Sequence, residues 1–375
     1  MSLFNILDNE ELLNKFKIII FSKRISNAYL LHGKDISNIE AIALEFAGML
    51  LCENNESTPC GLCESCTRVK YLEHPDLDFV YPLPKREESP GDDPFKGVSN
   101  RIFDEIESIL REKAVDPYKK FQVTNARSIP ISFIRMIRKR AYLKPQESSR
   151  RVVIVFDAHN LTEQGSNAFL KILEEPPPDT TFLILSDHPE MILPTIKSRC
   201  QHVYIPSINH EVLISKLRDM GIEEAMANIL ARFSEYNITQ VYELINYNIT
   251  DLVNYSINLL ISVAKWDKVE IKERINELVD YYKRDRKKFF LIMKCIQFWF
   301  RDATLLSRGI MEDIILADKI DRLEKFVKNY PFFNGEGLYK AVDNCIDLLK
   351  SNVYINVALM NMMFEIKEKL GRKGK

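Results

Sequence analysis

The stretch Ala28-Tyr29-Leu30-Leu31-His32-Gly33-Lys34-Asp35-Ile36-Ser37-Asn38-Ile39-Glu40 decides how the rest of the chain is read. Four apolar residues run into His32-Gly33, and beyond them Ile39, Ile42, Ala43, Phe46, Ala47 and Leu50 recur at helical spacing. That order predicts strand, glycine turn, helix, with Ser37 as the expected N-cap. The same order frames a phosphate loop, G-x-x-x-x-G-K-[ST], whose backbone N–H groups, lysine and hydroxyl hold phosphate and Mg²⁺. Counting on from Gly33, the second glycine falls at Asn38, the lysine at Ile39 and the hydroxyl at Glu40. All three are the wrong residue type, and Glu40 puts a negative charge where phosphate would sit. Lys34 comes too early in the loop to substitute. Taken alone, the segment reads equally well as a strand–turn–helix that never held phosphate.

Working outward, apolar runs at Leu77 to Tyr81, Val152 to Phe156, Thr181 to Leu185 and His202 to Ile205 predict further strands. Val152-Val153-Ile154-Val155-Phe156 has the β-branched character of a strand buried on both faces. Thr162 is the expected cap of a helix through Leu173, which Pro176-Pro177-Pro178 stops. Strands alternating with helices imply a parallel, doubly wound sheet. Residues 84–128 interrupt the pattern. Lys85 to Pro94 reads as a flexible loop, and Arg101 to Lys113 as a helix with Ile102, Phe103, Ile106, Ile109 and Leu110 on one face. From about 207 the strand signal disappears. The expected organisation is an α/β domain over 1–206, with the 84–128 insertion inside it, then two all-α domains over 207–255 and 256–375.

The chain has 375 residues, 46% hydrophobic and 28% charged, which suits a globular protein with substantial cores. Its 52 basic and 53 acidic residues nearly cancel, so a self-sufficient nucleic-acid binder is not expected. The N-terminus has no basic and apolar run of the signal-peptide kind. No uncharged apolar stretch approaches the roughly 18 residues a membrane helix needs, and Phe289 to Phe300 is broken by Lys294. A cytoplasmic location is expected.

The second half of the presumed nucleotide site follows the Val152 strand, at Asp157-Ala158-His159-Asn160-Leu161. A working ATPase ends this strand in Asp-Glu, for Mg²⁺ and the attacking water. In register with His159 and Leu161, those positions are Phe156 and Asp157. A second lesion in one inferred site argues that the glycine turn belongs to a phosphate-loop frame. Next come Leu170-Lys171-Ile172-Leu173-Glu174-Glu175-Pro176-Pro177 and Ser198-Arg199-Cys200. With these strings, residues 12 to 206 resemble the clamp-loader branch of the AAA+ family, and within it the non-hydrolysing subunits of the bacterial DNA polymerase III loader. Asn27, where the family usually has His, departs from the pattern.

The resemblance implies an AAA+ domain followed by a helical lid and a collar. It gives Arg199 the role of an arginine finger reaching a neighbour's ATP site, with Ser198 beside it. A guanidinium there neutralises charge on the γ-phosphate. It implies gamma/tau-type ATPase subunits and a delta subunit as partners, with a sliding clamp and primed DNA engaged through the complex. It also places a nucleotide-sensing arginine where Thr239 stands, a third loss at the same site.

Four of the seven cysteines stand at Cys52-x7-Cys60-x2-Cys63-x2-Cys66. Paired x2 spacings let thiolates face one ion, four sulfurs suit tetrahedral Zn²⁺, and Gly61 permits the turn between Cys60 and Cys63. A closed Cys₄ set leaves no open position, so a structural zinc in a module spanning 52–80 is expected, and the family shares such a module. Cys200, Cys295 and Cys345 are isolated. His74-Pro75-Asp76 has no nucleophile nearby in sequence and reads as a structural turn. The readings to weigh are a non-hydrolysing loader subunit without enzymatic activity of its own, an ATP-hydrolysing gamma/tau-type subunit, and a zinc-containing nucleic-acid module. Asn38, Ile39 and Glu40 argue against the second, and the balanced charge against the third.

Overall fold

A computed structural model describes residues 2–7, 9–54, 58–84, 93–351 and 353–371. The chain divides into two compact units, Met1–Ala227 with Ser234–Tyr242, and Asn228–Phe233 with Glu243–Lys375.

In the first unit the elements run α1 (Glu10–Phe21), β1 (Ala28–His32), α2 (Ile36–Leu51), α3 (Glu64–Lys70), β2 (Leu77–Val80), β3 (Leu83–Pro84), α4 (Asn100–Val115), β4 (Ala126–Ser128), α5 (Ile131–Ala141) and β5 (Arg151–Val155). They continue with α6 (Glu163–Glu174), β6 (Thr180–Ser186), α7 (Pro194–Lys197), β7 (Gln201–Tyr204) and α8 (His210–Asp219). Five strands form a sheet in the order β2-β5-β6-β1-β7, and each of its pairings is parallel. A parallel α/β core followed by helices is the expected class, and the expected strands are all present.

Central β5 and β6 are buried at every position, which is why they read as unbroken apolar runs rather than alternating ones. Each large apolar side chain withdrawn from water there contributes roughly 1.5–3 kcal/mol. Helix α2 is buried along its whole length, with Phe46 stacked on Phe16 of α1 at 3.9 Å. Its charged residues are therefore all committed to partners; Glu45, for instance, accepts from the backbone N–H groups of Leu3 and Phe4 at 2.9 Å.

One expected cap is corrected. Asp35, not Ser37, caps α2, accepting the Asn38 N–H. Asp serves as well as Ser at an N-cap, and Ser37 already lies within the helix. Thr162 caps α6 as expected, accepting the Gly165 N–H at 3.1 Å. The 84–128 segment has its ends closed by a small antiparallel pairing of β3 with β4. Most of its expected loop, at 85–92, lies outside the described residues.

The remaining helices are α9 (Glu224–Phe233), α10 (Ile238–Ile245), α11 (Ile249–Lys265), α12 (Lys268–Arg284), α13 (Arg286–Ser307), α14 (Ile320–Asn329), α15 (Gly335–Lys350) and α16 (Ile355–Lys369). The second unit is helical, built around α13, whose Phe289, Ile292, Met293, Cys295, Ile296 and Phe300 are all buried. Among the described residues no helix is long and apolar enough to cross a membrane. Burial pushes the Cys295 and Cys345 thiols up to about 12, so both are ordinary core residues.

Candidate functional site

Gly33 follows β1 at the carboxyl edge of the sheet, the edge where open parallel sheets take their ligands. Its glycine has a local cause: a Cβ would lie 2.3 Å from the Ile205 carbonyl oxygen. The loop beyond it is already engaged. Asp35 accepts the Ile238 N–H at 2.6 Å, the Thr239 N–H at 3.3 Å and the Thr239 hydroxyl at 2.8 Å. Thr239 in turn accepts the Ser37 N–H at 3.0 Å, and Asn237 donates to the Lys34 carbonyl at 2.9 Å. Asn38 donates its side-chain amide to the Pro206 carbonyl. Backbone donors that would cradle phosphate thus serve protein groups, and a carboxylate sits among them.

At the hydroxyl position the substitution runs deeper. Glu40 is fully buried, and Lys113 of α4, also fully buried, donates to it at 2.6 Å. The Lys113 ammonium donates to the Pro117 carbonyl at 2.8 Å and the Lys119 carbonyl at 2.6 Å as well, so its three N–H bonds meet three acceptors. Glu40 also accepts the Phe121 N–H at 2.9 Å. Burial raises the Glu40 carboxyl and lowers the Lys113 ammonium from their ordinary values, and each opposes the other's shift. The saturated donor set fits an ion pair.

The metal-binding position of the second motif is filled in the same way. Phe156 is buried between Phe121, stacked at 4.8 Å, and Phe79 at 5.9 Å. Asp157 follows with a left-handed backbone, φ 45°. The segment from Lys113 to Phe121 therefore covers both halves of the presumed nucleotide site. It is pinned in place: Asp116 accepts from the Tyr242 hydroxyl and from Lys216 of α8, and the Tyr118 hydroxyl oxygen accepts the Leu7 N–H at 2.6 Å.

Arg199 stands between α7 and β7. One of its terminal nitrogens meets Glu174 at 3.0 Å, and the other donates to the Thr195 carbonyl at 3.0 Å. Its side chain is 36% exposed. Glu174 belongs to the Leu170–Pro177 string, so the two strings that carried the family resemblance meet at this pair. The neighbouring Ser198 hydroxyl donates to the Thr195 carbonyl at 3.0 Å. An exposed ion pair holds only about 0–1 kcal/mol, so Arg199 is oriented but readily exchanged to another anion.

Cys52, Cys60, Cys63 and Cys66 bring their sulfurs within 4.8 Å of one another. Cys60 Sγ accepts from the Leu62 N–H at 3.5 Å and the Cys63 N–H at 3.3 Å, and Cys63 Sγ from the Cys66 N–H at 3.3 Å. Gly61, at φ 70°, makes the turn that permits this. Those N–H groups pull the Cys60 thiol down to about 6, favouring the thiolate that binds metal. Four converging sulfurs with N–H···S support fit a tetrahedral metal ion of the zinc type. Replacing Cys63 by Ser is expected to abolish stoichiometric zinc in the purified chain and to lower its melting temperature by roughly 5 °C or more. Metal analysis beside a thermal melt checks both.

His74 and Asp76 are structural. His74 Nε2 is 3.1 Å from the Ser65 hydroxyl and 3.2 Å from that of Ser148, and Asp76 accepts the N–H groups of Gln146, Glu147 and Ser148. The residues that sequence reading missed are Asp35, Lys113, Phe121 and Glu174. Asp35 lies in the loop after the first strand and Glu174 in the Leu170–Pro177 motif; Lys113 and Phe121 carried no signal.

The fold is a parallel α/β core followed by helices, with the loop after β1 engaged by the chain's own side chains. The family model described as "DNA polymerase III, delta subunit" matches residues 8–209, and its C-terminal counterpart matches 258–366. The chain belongs to this DNA polymerase III delta subunit family. Among curated relatives, the DNA polymerase III subunit delta' of Bacillus subtilis is 26% identical over 59% of this chain and 54% of its own length. The subunit delta' of Pseudomonas aeruginosa is 30% identical over 47% of this chain and 42% of its own length. The DNA polymerase III subunit tau of Bacillus subtilis is 22% identical over 90% of this chain and 56% of its own length. The chain spans about half the length of these relatives. A solved gamma subunit-related protein of Thermotoga maritima aligns over 96% of this chain and 99% of its own at 18% identity and TM-score 0.40.

Proposed function

We propose that this chain is a delta-prime-type subunit of the DNA polymerase III clamp loader that hydrolyses no ATP itself and donates Arg199 to a neighbouring ATPase subunit. The observation that carries this reading is the Glu40–Lys113 pair at 2.6 Å, both residues fully buried where phosphate-bound Mg²⁺ would be held. A protein ammonium already neutralises the carboxylate there, and Phe156 and Thr239 offer nothing to a metal or a γ-phosphate. The partners are gamma/tau-type ATPase subunits and a delta subunit, and the clamp and primed DNA are reached through the assembly. Residues 1–206 are the AAA+ domain, 207–255 its lid and 256–375 the collar that joins the ring.

The four cysteines would hold Zn²⁺, which fixes the 52–80 module and supplies no chemistry. In the working cycle partner subunits bind ATP, and Arg199 leaves Glu174 for the γ-phosphate of a neighbour's nucleotide. The tau relative's similarity leaves the gamma/tau-type alternative to be decided by nucleotide binding. Equilibrium dialysis of the purified chain against Mg²⁺-ATP is expected to give no saturable binding up to millimolar nucleotide. One ATP bound per chain with micromolar affinity would reject the reading.

A further inference from the structure

Asp157 and Asp187 leave the ends of neighbouring strands, β5 and β6, at the carboxyl edge of the sheet. Adjacent strands lie about 4.8 Å apart, so both carboxylates emerge within reach of one point. His159 sits on the single-turn helix Ala158–Asn160 that directly follows Asp157. One donor atom from each of the three lies within 4.8 Å of the others. Asp157 is only 7% exposed, and its Oδ1 has no hydrogen-bond partner. Asp187 Oδ1 is likewise buried without one. His159 Nδ1 is 3.7 Å from Asp187 Oδ1 and 3.1 Å from the Ser186 hydroxyl, while Nε2 is 3.2 Å from the Asn160 side-chain amide. With Nδ1 turned to an ion, Nε2 would carry the proton and donate to the Asn160 side-chain amide in the orientation that presents its oxygen, the outer support a ligating histidine takes.

We infer that Asp157, His159 and Asp187 form a divalent-cation site, separate from the four cysteines and independent of nucleotide. Two inward-facing carboxylate oxygens with no hydrogen-bond donor are costly in a protein interior. A cation between them removes that cost, and the imidazole completes a mixed nitrogen–oxygen set. Such a set suits Mn²⁺ or Zn²⁺, with water completing the coordination. It is not the Mg²⁺ site of an active ATPase, because Glu40 is paired with Lys113 and Phe156 offers no ligand. The ion would tie the end of β5 to the end of β6, beside the edge that Phe121 covers. The inference holds whether or not Arg199 acts as a finger.

Mn²⁺ is the discriminating probe, since thiolates select zinc over manganese. The zinc-loaded full-length chain, titrated with Mn²⁺ and followed by the EPR signal of the free ion, is expected to bind one Mn²⁺. Asp187→Asn and His159→Gln are each expected to weaken that binding on the order of tenfold or more, without a lower melting temperature. Pulsed EPR of the wild-type complex is expected to show one imidazole nitrogen coupled to manganese, a readout that needs no variant. Absence of a bound ion at millimolar Mn²⁺, binding unchanged in Asp187→Asn, or a complex without nitrogen coupling would each overturn the site. Loss of Mn²⁺ binding in Cys63→Ser but not in Asp187→Asn would assign it to the thiolates and overturn it equally.

Discussion

If Arg199 is the finger proposed above, replacing it by alanine is expected to silence the neighbouring ATP site it would reach, by about 10³-fold or more in the hydrolytic step. The chain's own fold should be indifferent to the change. The Arg199–Glu174 pair is exposed and contributes about 0–1 kcal/mol, so the melting temperature should hardly move. Arg199→Lys should rescue poorly, because an ammonium cannot reproduce the planar fork that spans two phosphate oxygens. Glu174→Gln keeps the finger and loses only its resting partner, and its effect should be much smaller. Single-turnover ATP hydrolysis in the reconstituted loader separates the three variants. Equal rates for wild type and Arg199→Ala would reject the finger.

Lys113→Met is expected to destabilise the first unit by about 3–5 kcal/mol, because it leaves the Glu40 carboxylate buried without its counter-charge. For a unit of this size that is a fall in melting temperature of the order of 10 °C. The double variant Glu40→Leu with Lys113→Met removes both charges and should recover most of the loss, since an apolar pair of similar volume often replaces a buried ion pair at little cost. Thermal melts of the wild type, both single variants and the double variant form a closed cycle. A Lys113→Met protein as stable as wild type would show that the pair does not hold the insertion against the core.

How much of this was legible in the sequence follows from the range of each interaction. Strand, turn and helix signals are local, so β1, β5, β6 and α6 were readable, as was the Thr162 cap. Cys60, Cys63 and Cys66 could be grouped because their geometry is fixed by two short spacings. Ser37 was mistaken for the cap because sequence alone does not separate it from Asp35 two residues earlier; the choice is made by Ile238 and Thr239, which also bind Asp35. Lys113 carried no signal at all. On an amphipathic helix a lysine reads as solvent-facing, and its partner lies 73 residues away. The loop could be seen to lack phosphate-binding residues, but that the Lys113 ammonium meets Glu40 and the Phe121 ring stacks on Phe156 is a property of the folded insertion. Glu174 and Arg199 each stood in a quoted string, yet their contact depends on how α6 and α7 pack.

The central proposal is that the nucleotide site implied by the family resemblance is closed by the chain's own side chains. Its most direct test is phosphate release by the purified chain alone, with Mg²⁺-ATP and primed DNA present. The account predicts a rate indistinguishable from that of buffer. Release that saturates with ATP and persists through purification to homogeneity would contradict it.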